Sequence, residues 1–534
     1  MISFKLYGNK AYQWFRKDNH FFTGYLFNDN NDILTGENAI DFLLNYPKKR
    51  SKTVQFHGIY TFIKNMENGI AIITDTINYF PLFYFKQNKN WILSDNWNYL
   101  TDIKGGIKPN LDAEIEFLSV GFVLGNETLD VDILKTRVGE KLLLNNDGTF
   151  ERIPDYYYLP EFFIKDNFQK INDILIDKID EAGHRLIKFL DSRTAVLPLS
   201  GGFDSRLIAS VLKKLNYESV ICFTYGRKTD EVDVSSSVAQ ILGYKWYFID
   251  YSEIDLTTYI QDSGFLEYIN FIGNGYTMPY LQEYFAVKKL VENKLIPDNS
   301  VFLSGHVGDN IAGSYILKSI KTTQQNNRLF NNLIENYFFF KKITKNEKQQ
   351  LKKRISITIS DYPKENNYSK NYNPYIEDWS LKEKFSKFLF HSSKVFDFWG
   401  YNTYFLLWDK EIVDFFRNLP YKHRENKLLY NYTLINEFFI SLNIYFPNKE
   451  TNTHPLQIKV QKVKNRIRNF FPWKYIYKIM EKHDWMYYSP LTSIMEKEME
   501  VKGYKKLRKF SSFNAIICRW YLDFVNFYKK NINP

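Results

Sequence analysis

The feature that most constrains this 534-residue chain is one stretch, Thr194-Ala-Val-Leu-Pro-Leu-Ser-Gly-Gly-Phe-Asp-Ser-Arg-Leu-Ile-Ala-Ser-Val-Leu212. Ala195 to Leu199 is a short apolar run of the kind that fills a strand buried on both faces. Ser200-Gly201-Gly202-Phe203-Asp204-Ser205 breaks that pattern, and from Arg206 to Leu215 apolar residues return at helical spacing. Strand, glycine turn and helix start together gather unpaired backbone N–H groups and the positive end of a helix dipole at one point. Gly201 and Gly202 let the backbone approach an anion closely, and Ser200 and Ser205 add hydroxyl donors. Asp204 would repel a bare phosphate, so the pattern makes sense with Mg2+ between carboxylate and phosphate. No Gly-Lys-Ser/Thr follows the loop, which excludes the Walker arrangement.

The surroundings of this stretch alternate strand and helix. Ile171, Ile174, Leu175, Ile179 and Ala182 share one helical face before it; Ser219 to Thr224 reads as a second buried strand leading to Tyr225-Gly226. Val232 to Leu242 follows as a helix and Trp246 to Ile249 as a third strand. Such alternation predicts a parallel sheet with right-handed crossovers and ligands at the carboxyl ends of its strands. Val301-Phe-Leu-Ser-Gly-His-Val-Gly-Asp309 repeats the design, an apolar strand ending in a glycine loop with one carboxylate. Residues 1–160, by contrast, read as β-rich. Paired strands flank turns such as Asn145-Asn-Asp-Gly148, and Asp112 to Val120 is the one clear helix.

These motifs carry a resemblance. Ser-Gly-Gly-x-Asp-Ser at 200–205 resembles the pyrophosphate-binding loop of the ATP pyrophosphatases, and the order of motifs along the chain resembles the asparagine synthetase family. Ser304 to Tyr315 is similar to that family's Ser-Gly-Glu-Gly-x-Asp-Glu-x-x-x-Gly-Tyr, with His306 and Asn310 at its two Glu positions. Trp399 to Pro420 resembles its Glu-x-Arg-x-Pro-Phe-Leu-Asp helix region, keeping Asp409 but carrying Asn402, Tyr404 and Leu406 at the Glu, Arg and Pro. Arg424 to Tyr430 resembles a Lys-x-x-Leu-Arg segment and places Lys427 at the lysine. In the N-terminal part, His57 to Phe62, Thr74 to Tyr84 and Gly121 to Gly139 resemble the family's glutaminase domain.

The resemblance implies an α/β fold in two parts. Residues 1–160 would form an Ntn-hydrolase-like αββα domain, and 165–534 an adenine-nucleotide α-hydrolase-like (ATP pyrophosphatase) parallel-sheet domain with additional C-terminal helices. It implies an AMP-forming carbon–nitrogen ligase that uses ATP and Mg2+ to adenylate a small-molecule carboxylate, which ammonia or an amine then attacks. Ser200, Gly201, Gly202, Asp204, Ser205, Thr224, Gly226 and Gly305 would bind the nucleotide. Asp204 and Asp309 would hold the metal; Lys427 and His306 would be catalytic. Glutamine hydrolysis is expected to be lost, because the family's nucleophile, a Cys at position 2, is Ile2 here. An intramolecular cyclase of the β-lactam synthetase type and a non-catalytic nucleotide-binding homologue are the alternatives. His57 is read as structural.

Composition narrows partners and compartment. The net charge of +11 is spread through Lys/Asn-rich segments and forms no stripe, so no nucleic-acid partner is expected. Residues 457–478 carry seven basic and no acidic side chains, with Val460, Val463, Ile467 and Phe470 along one face. That pattern fits weak peripheral contact with an anionic membrane. Only two cysteines occur, Cys222 and Cys518. With no signal-peptide pattern and no long apolar run, the expectation is a cytoplasmic protein.

Overall fold

The computed structural model describes residues 2–46, 56–314, 316, 325–360, 362, 373–447, 473–502 and 512–532. Alternating apolar residues in the N-terminal part produce β1 (Ile2–Lys5), β2 (Phe15–Lys17), β3 (His20–Phe27), β4 (Ile33–Leu34), β5 (Gly58–Met66), β6 (Gly69–Thr74), β7 (Phe83–Gln87), β8 (Asn90–Ser94), β9 (Leu134–Lys135), β10 (Glu140–Asn145) and β11 (Phe150–Pro154). They form two sheets, one ordered β1-β8-β7-β9 and a larger one ordered β11-β10-β6-β5-β3-β2, with β4 on β3. The inner faces meet through Ile63, Ile72 and Leu142 on one side and Tyr84, Trp91 and Leu93 on the other. Helix α1 (Gly36–Asn45) covers the outer face of the larger sheet through Ala39 and Ile40. Helices α2 (Trp97–Ile103) and α3 (Leu111–Val120) cover the smaller one against Phe83 and Phe85. The layers therefore run helix, sheet, sheet, helix, as the αββα expectation required. Two helices, α1 and α2, join the single one read from the sequence. Both are short; α1 starts at Thr35 without a side-chain cap, whereas α2 is capped by Asn96, which accepts from the Tyr99 N–H and is a start signal the reading did not use.

After β11 the chain enters the 23-residue helix α4 (Phe168–Leu190). A five-stranded sheet follows: β12 (Ala195–Pro198), β13 (Val220–Gly226), β14 (Lys245–Asp250), β15 (Val301–Leu303) and β16 (Asn402–Tyr404), in spatial order β14-β13-β12-β15-β16. All four pairings are parallel. Helices α5 (Phe203–Lys214) and α6 (Asp230–Leu242) connect its first three strands. Both faces are covered, which is why β12 reads as an unbroken apolar run. Ala195 and Leu197 pack with α4 and α5, whereas Val196 packs with α7 (Ser263–Gly273) and α8 (Tyr284–Glu292).

The sequence reading put Asn402 to Tyr404 in a helix region, and the structure corrects this to a strand. β15 would otherwise be the sheet's open edge, and β16 fills it in register, Val301 opposite Asn402 and Leu303 opposite Tyr404. The helix begins only at Lys410, where the Asp409 side chain accepts a capping bond from the Glu411 N–H.

The β-rich layers pack directly on this sheet's α-helical surroundings: Tyr79 donates to Asp397 at 3.0 Å, and Tyr12 and Tyr25 both reach the Thr403 carbonyl of β16. Of the basic segment 457–478, residues 457–472 lie outside the described residues, and Trp473–Lys482 is a helix. Among the described residues, no helix is long and apolar enough to cross a membrane.

Candidate active site

β12 delivers the Ser200–Ser205 loop to the carboxyl edge of the sheet, and α5 leaves from it. No side chain caps α5 at Gly202, so its first N–H groups are left to an anion. Ser200 and Ser205 face each other, Oγ to Oγ at 3.1 Å, and the Gly202 N–H donates to Ser200 Oγ at 3.2 Å. The loop is held from behind by the buried Arg206, which donates to the Gly201 carbonyl at 2.6 Å and to the Ile444 carbonyl at 3.2 Å.

The loop after β15 faces this cradle. Gly305 lies against the start of α5, its Cβ position 3.4 Å from Ser205 N. Asp309 donates its backbone N–H to Asp204 Oδ2 at 3.0 Å, and Lys427 donates from Nζ to Asp309 Oδ1 at 2.7 Å. The other Asp204 oxygen, Oδ1, accepts from the Tyr430 hydroxyl at 2.7 Å. A side chain at Gly308 would meet Asp204 Oδ1 at 2.7 Å and the Tyr430 hydroxyl at 2.6 Å, so this bond exists only because residue 308 is glycine. Asn426 and Lys427 both take left-handed backbone conformations, φ 54° and 59°, and this kink presents Lys427 to Asp309.

Two carboxylates in a partly buried site want a cation. Burial first, and then the charge of Asp309, push the Asp204 carboxyl up to about 7. Among the described residues no group of three or more His, Cys, Asp or Glu could hold a metal. Asp204 and Asp309 are thus a two-carboxylate donor set, which suits Mg2+ if phosphate and water supply the remaining oxygens.

A pH-dependent trade-off follows. Asp204 carries a folded-state pKa above its ordinary 3.8, so in the metal-free protein its ionisation opposes folding increasingly as pH rises towards about 7. Asp204→Asn removes this charge, its amide oxygen keeping the Asp309 N–H bond while its amide N–H can donate to the Tyr430 hydroxyl oxygen. Metal-free Asp204→Asn should therefore melt above wild type, by a margin that widens between about pH 4 and pH 7 and is constant above. The same variant should lose Mg2+-dependent nucleotide binding. Thermal melts across pH, with and without Mg·ATP, check both; a margin independent of pH would contradict the assignment.

The other expected positions fall as follows. Thr224 donates to the Leu199 carbonyl at 2.7 Å and accepts from Trp246 Nε1 at 2.9 Å, so its hydroxyl braces β12 against β13. Gly226, at φ 104°, ends β13 beneath the Trp485 main chain, and the next N–H, of Arg227, donates to the Trp485 carbonyl at 2.7 Å. His306 Nε2 lies 3.1 Å from Ser392 Oγ, and burial holds its imidazole down to about 4, which makes it neutral and weakly basic at pH 7.

Sequence reasoning missed Tyr430 and the buried Arg424. Arg424 pairs with Glu377 through two nitrogens and donates to the Ile311 carbonyl at 2.7 Å, anchoring the Lys427 segment to the loop beyond Asp309. Both residues lay inside the quoted Arg424–Tyr430 segment; a signal for Tyr430 was Gly308, the small residue opposite it.

A parallel sheet whose central strand opens through Ser-Gly-Gly into an uncapped helix, beside a second acidic glycine loop, defines an α/β domain with an anion cradle at its carboxyl edge. Residues 191–432 match the asparagine synthase family. The first 190 residues lie outside that match. No curated protein matches the chain. Among solved structures, the NH3-dependent NAD synthetase from Campylobacter jejuni subsp. jejuni, in complex with nitrate, is 18% identical over 37% of this chain and 99% of its own, with a TM-score of 0.21. At that level of likeness it says nothing of ligand or activity here.

Proposed function

We propose that the protein is an ATP- and Mg2+-dependent amide-forming ligase, releasing pyrophosphate and AMP, with residues 165–534 performing the chemistry and 1–160 serving as an inactive glutaminase-like scaffold. The observation that carries this is the Asp204–Asp309–Lys427 constellation set against the uncapped start of α5. Backbone N–H groups from Phe203 onward, with the Ser200 and Ser205 hydroxyls, receive the phosphates. Asp204 and Asp309 would hold Mg2+, which would supply neutralisation of the triphosphate's charge. Tyr430 keeps Asp204 oriented. Lys427 stabilises the negative charge that grows on the phosphates as the substrate carboxylate attacks the α-phosphorus and pyrophosphate departs. Ammonia or an amine then attacks the acyl-adenylate, forming the amide bond as AMP leaves and the amine proton passes to solvent. Its place of action is the cytoplasm, and its partners are small molecules.

The test is pyrophosphate release from ATP and Mg2+ across a panel of carboxylates and amines; no release with any pair would sink the proposal. Glutamine should give no glutamate above a heat-killed control. The first 160 residues contain no cysteine, and the half-buried His57 is held against Tyr404, Asp409 and the Lys410 N–H. Measurable glutaminase activity would show that the N-terminal part retains a nucleophile of another kind.

A further inference from the structure

Glu283, the residue before α8, is a carboxylate that the reaction above does not use. It is 7% exposed. Its Oε1 accepts from the Tyr225 hydroxyl at 3.1 Å, while Oε2 is sealed from solvent without a hydrogen-bond partner among the described residues. Among those residues it has no ion-pair partner either. Burial pushes its carboxyl up to about 7, and the Tyr225 hydrogen bond only partly offsets this.

The surroundings are aromatic. Tyr251, Tyr268 and Tyr488 belong to one buried cluster with Tyr225 and Tyr280 packed against it, and after burial the Glu283 charge is among the causes that raise the phenol pKa values of all five. The Tyr225 and Tyr251 rings stack with centroids 5.7 Å apart. A polar chain leads out from the carboxylate: Gln282 Nε2 donates to the Tyr225 hydroxyl at 3.0 Å, and Tyr280 donates to Gln282 Oε1 at 2.6 Å. Tyr225 itself sits between Thr224 and Gly226 at the carboxyl end of β13. Glu283 is thus connected to the edge of the sheet that holds the phosphate cradle.

A buried carboxylate oxygen without a partner costs free energy unless a donor meets it. Negative charge excludes a carboxylate substrate and selects a cation. Tyrosine faces around a single acidic group are the surroundings that favour an organic ammonium, through cation–π attraction and contact with its carbon atoms. We propose that Glu283, with Tyr225, Tyr280 and Tyr488, binds the ammonium group of an organic primary amine. That this amine is the acceptor of the amide bond rests on the ligase reading; the binding site itself does not.

The probe is n-butylammonium, with n-butanol as its uncharged counterpart, titrated calorimetrically into the full chain. Wild type should bind the ammonium and discriminate against the alcohol. Glu283→Gln should weaken ammonium binding at least about tenfold, the loss of a charge-assisted contact, while its affinity for Mg·ATP stays near wild type and its melting temperature without amine at pH 7 is no lower than wild type, since a buried charge has been removed. Near pH 7 wild type should release protons on binding, seen by comparing buffers of different ionisation enthalpy, and the variant should not. Tyr280→Leu, at a half-buried position, should weaken binding severalfold, and Tyr280→Phe should retain it. No binding by wild type, equal binding by Glu283→Gln, full binding by Tyr280→Leu, or equal binding of the alcohol would overturn the proposal. Loss of Mg·ATP affinity in Glu283→Gln would instead assign the carboxylate to the nucleotide base, and also overturn it. Failure of pyrophosphate release alongside Glu283-dependent ammonium binding would remove the ligase reading and leave this site standing.

Discussion

Lys427→Ala is expected to bind Mg·ATP within a few-fold of wild type and to release pyrophosphate at least about a hundredfold more slowly, the loss usual when one electrostatic stabiliser is deleted. In the resting protein Lys427 is occupied by Asp309 at 2.7 Å, so its ammonium is already partly neutralised before reaction. As charge builds on the departing pyrophosphate, the same ammonium has more to gain than it had from ATP at rest. An interaction that strengthens in the transition state appears in kcat and hardly in binding. Lys427→Arg should recover little, because a planar guanidinium does not fit where a compact ammonium bonds one carboxylate oxygen. The left-handed backbone at residue 427 sharpens the test, since Lys427→Gly relieves that conformation and should still be inactive. Single-turnover pyrophosphate release beside equilibrium nucleotide binding separates the two effects. Normal turnover by Lys427→Ala would remove the lysine, and the segment carrying it, from the chemistry.

Asp409→Ala is expected to destabilise the protein by about 3–5 kcal/mol, the cost of leaving a buried cation without its partner. Asp409 is fully buried and takes two hydrogen bonds from Arg185 of α4, at 2.7 and 2.8 Å. It also caps the helix Lys410–Asn418 and lies 3.6 Å from His57 Nε2 at the start of β5. Three segments therefore depend on one carboxylate. His57 itself is held neutral, since burial lowers its pKa more than Asp409 raises it. Removing the cation as well, in Arg185→Met/Asp409→Ala, should recover much of the loss, because no lone charge then remains buried. Urea midpoints for the single and double variants decide this. A double variant as unstable as the sum of its parts would mean that the pair matters for packing more than for charge.

The candidate site was readable to the extent that its chemistry sits in contiguous residues. Ser200 to Ser205 carries strand end, turn and helix start within six residues, and local backbone rules are enough to foresee an anion cradle there. Asp309 was visible for the same reason, at the end of an apolar run punctuated by Gly305 and Gly308. Asn402 to Tyr404 was misread because three residues have no period of their own. Their strand exists only because β15 presents an unpaired edge, and nothing local says so. His306 was read as a base from its place in a motif, and its burial beside Ser392 could not be read from neighbours in sequence.

The sequence by itself determined which segments are strands buried on both faces and where the glycine turns open. Those are consequences of periodicity and backbone freedom, which act over a few residues. Only the tertiary structure decided that Tyr430 holds Asp204, that Arg424 and Arg185 are buried with Glu377 and Asp409, and that Glu283 stands among tyrosines without a counter-charge. Each of these depends on removal from water by segments up to 226 residues apart, as Asp204 and Tyr430 are. Desolvation is a property of the packed whole, and it sets the charge and the partner of a group that the sequence shows only as a letter.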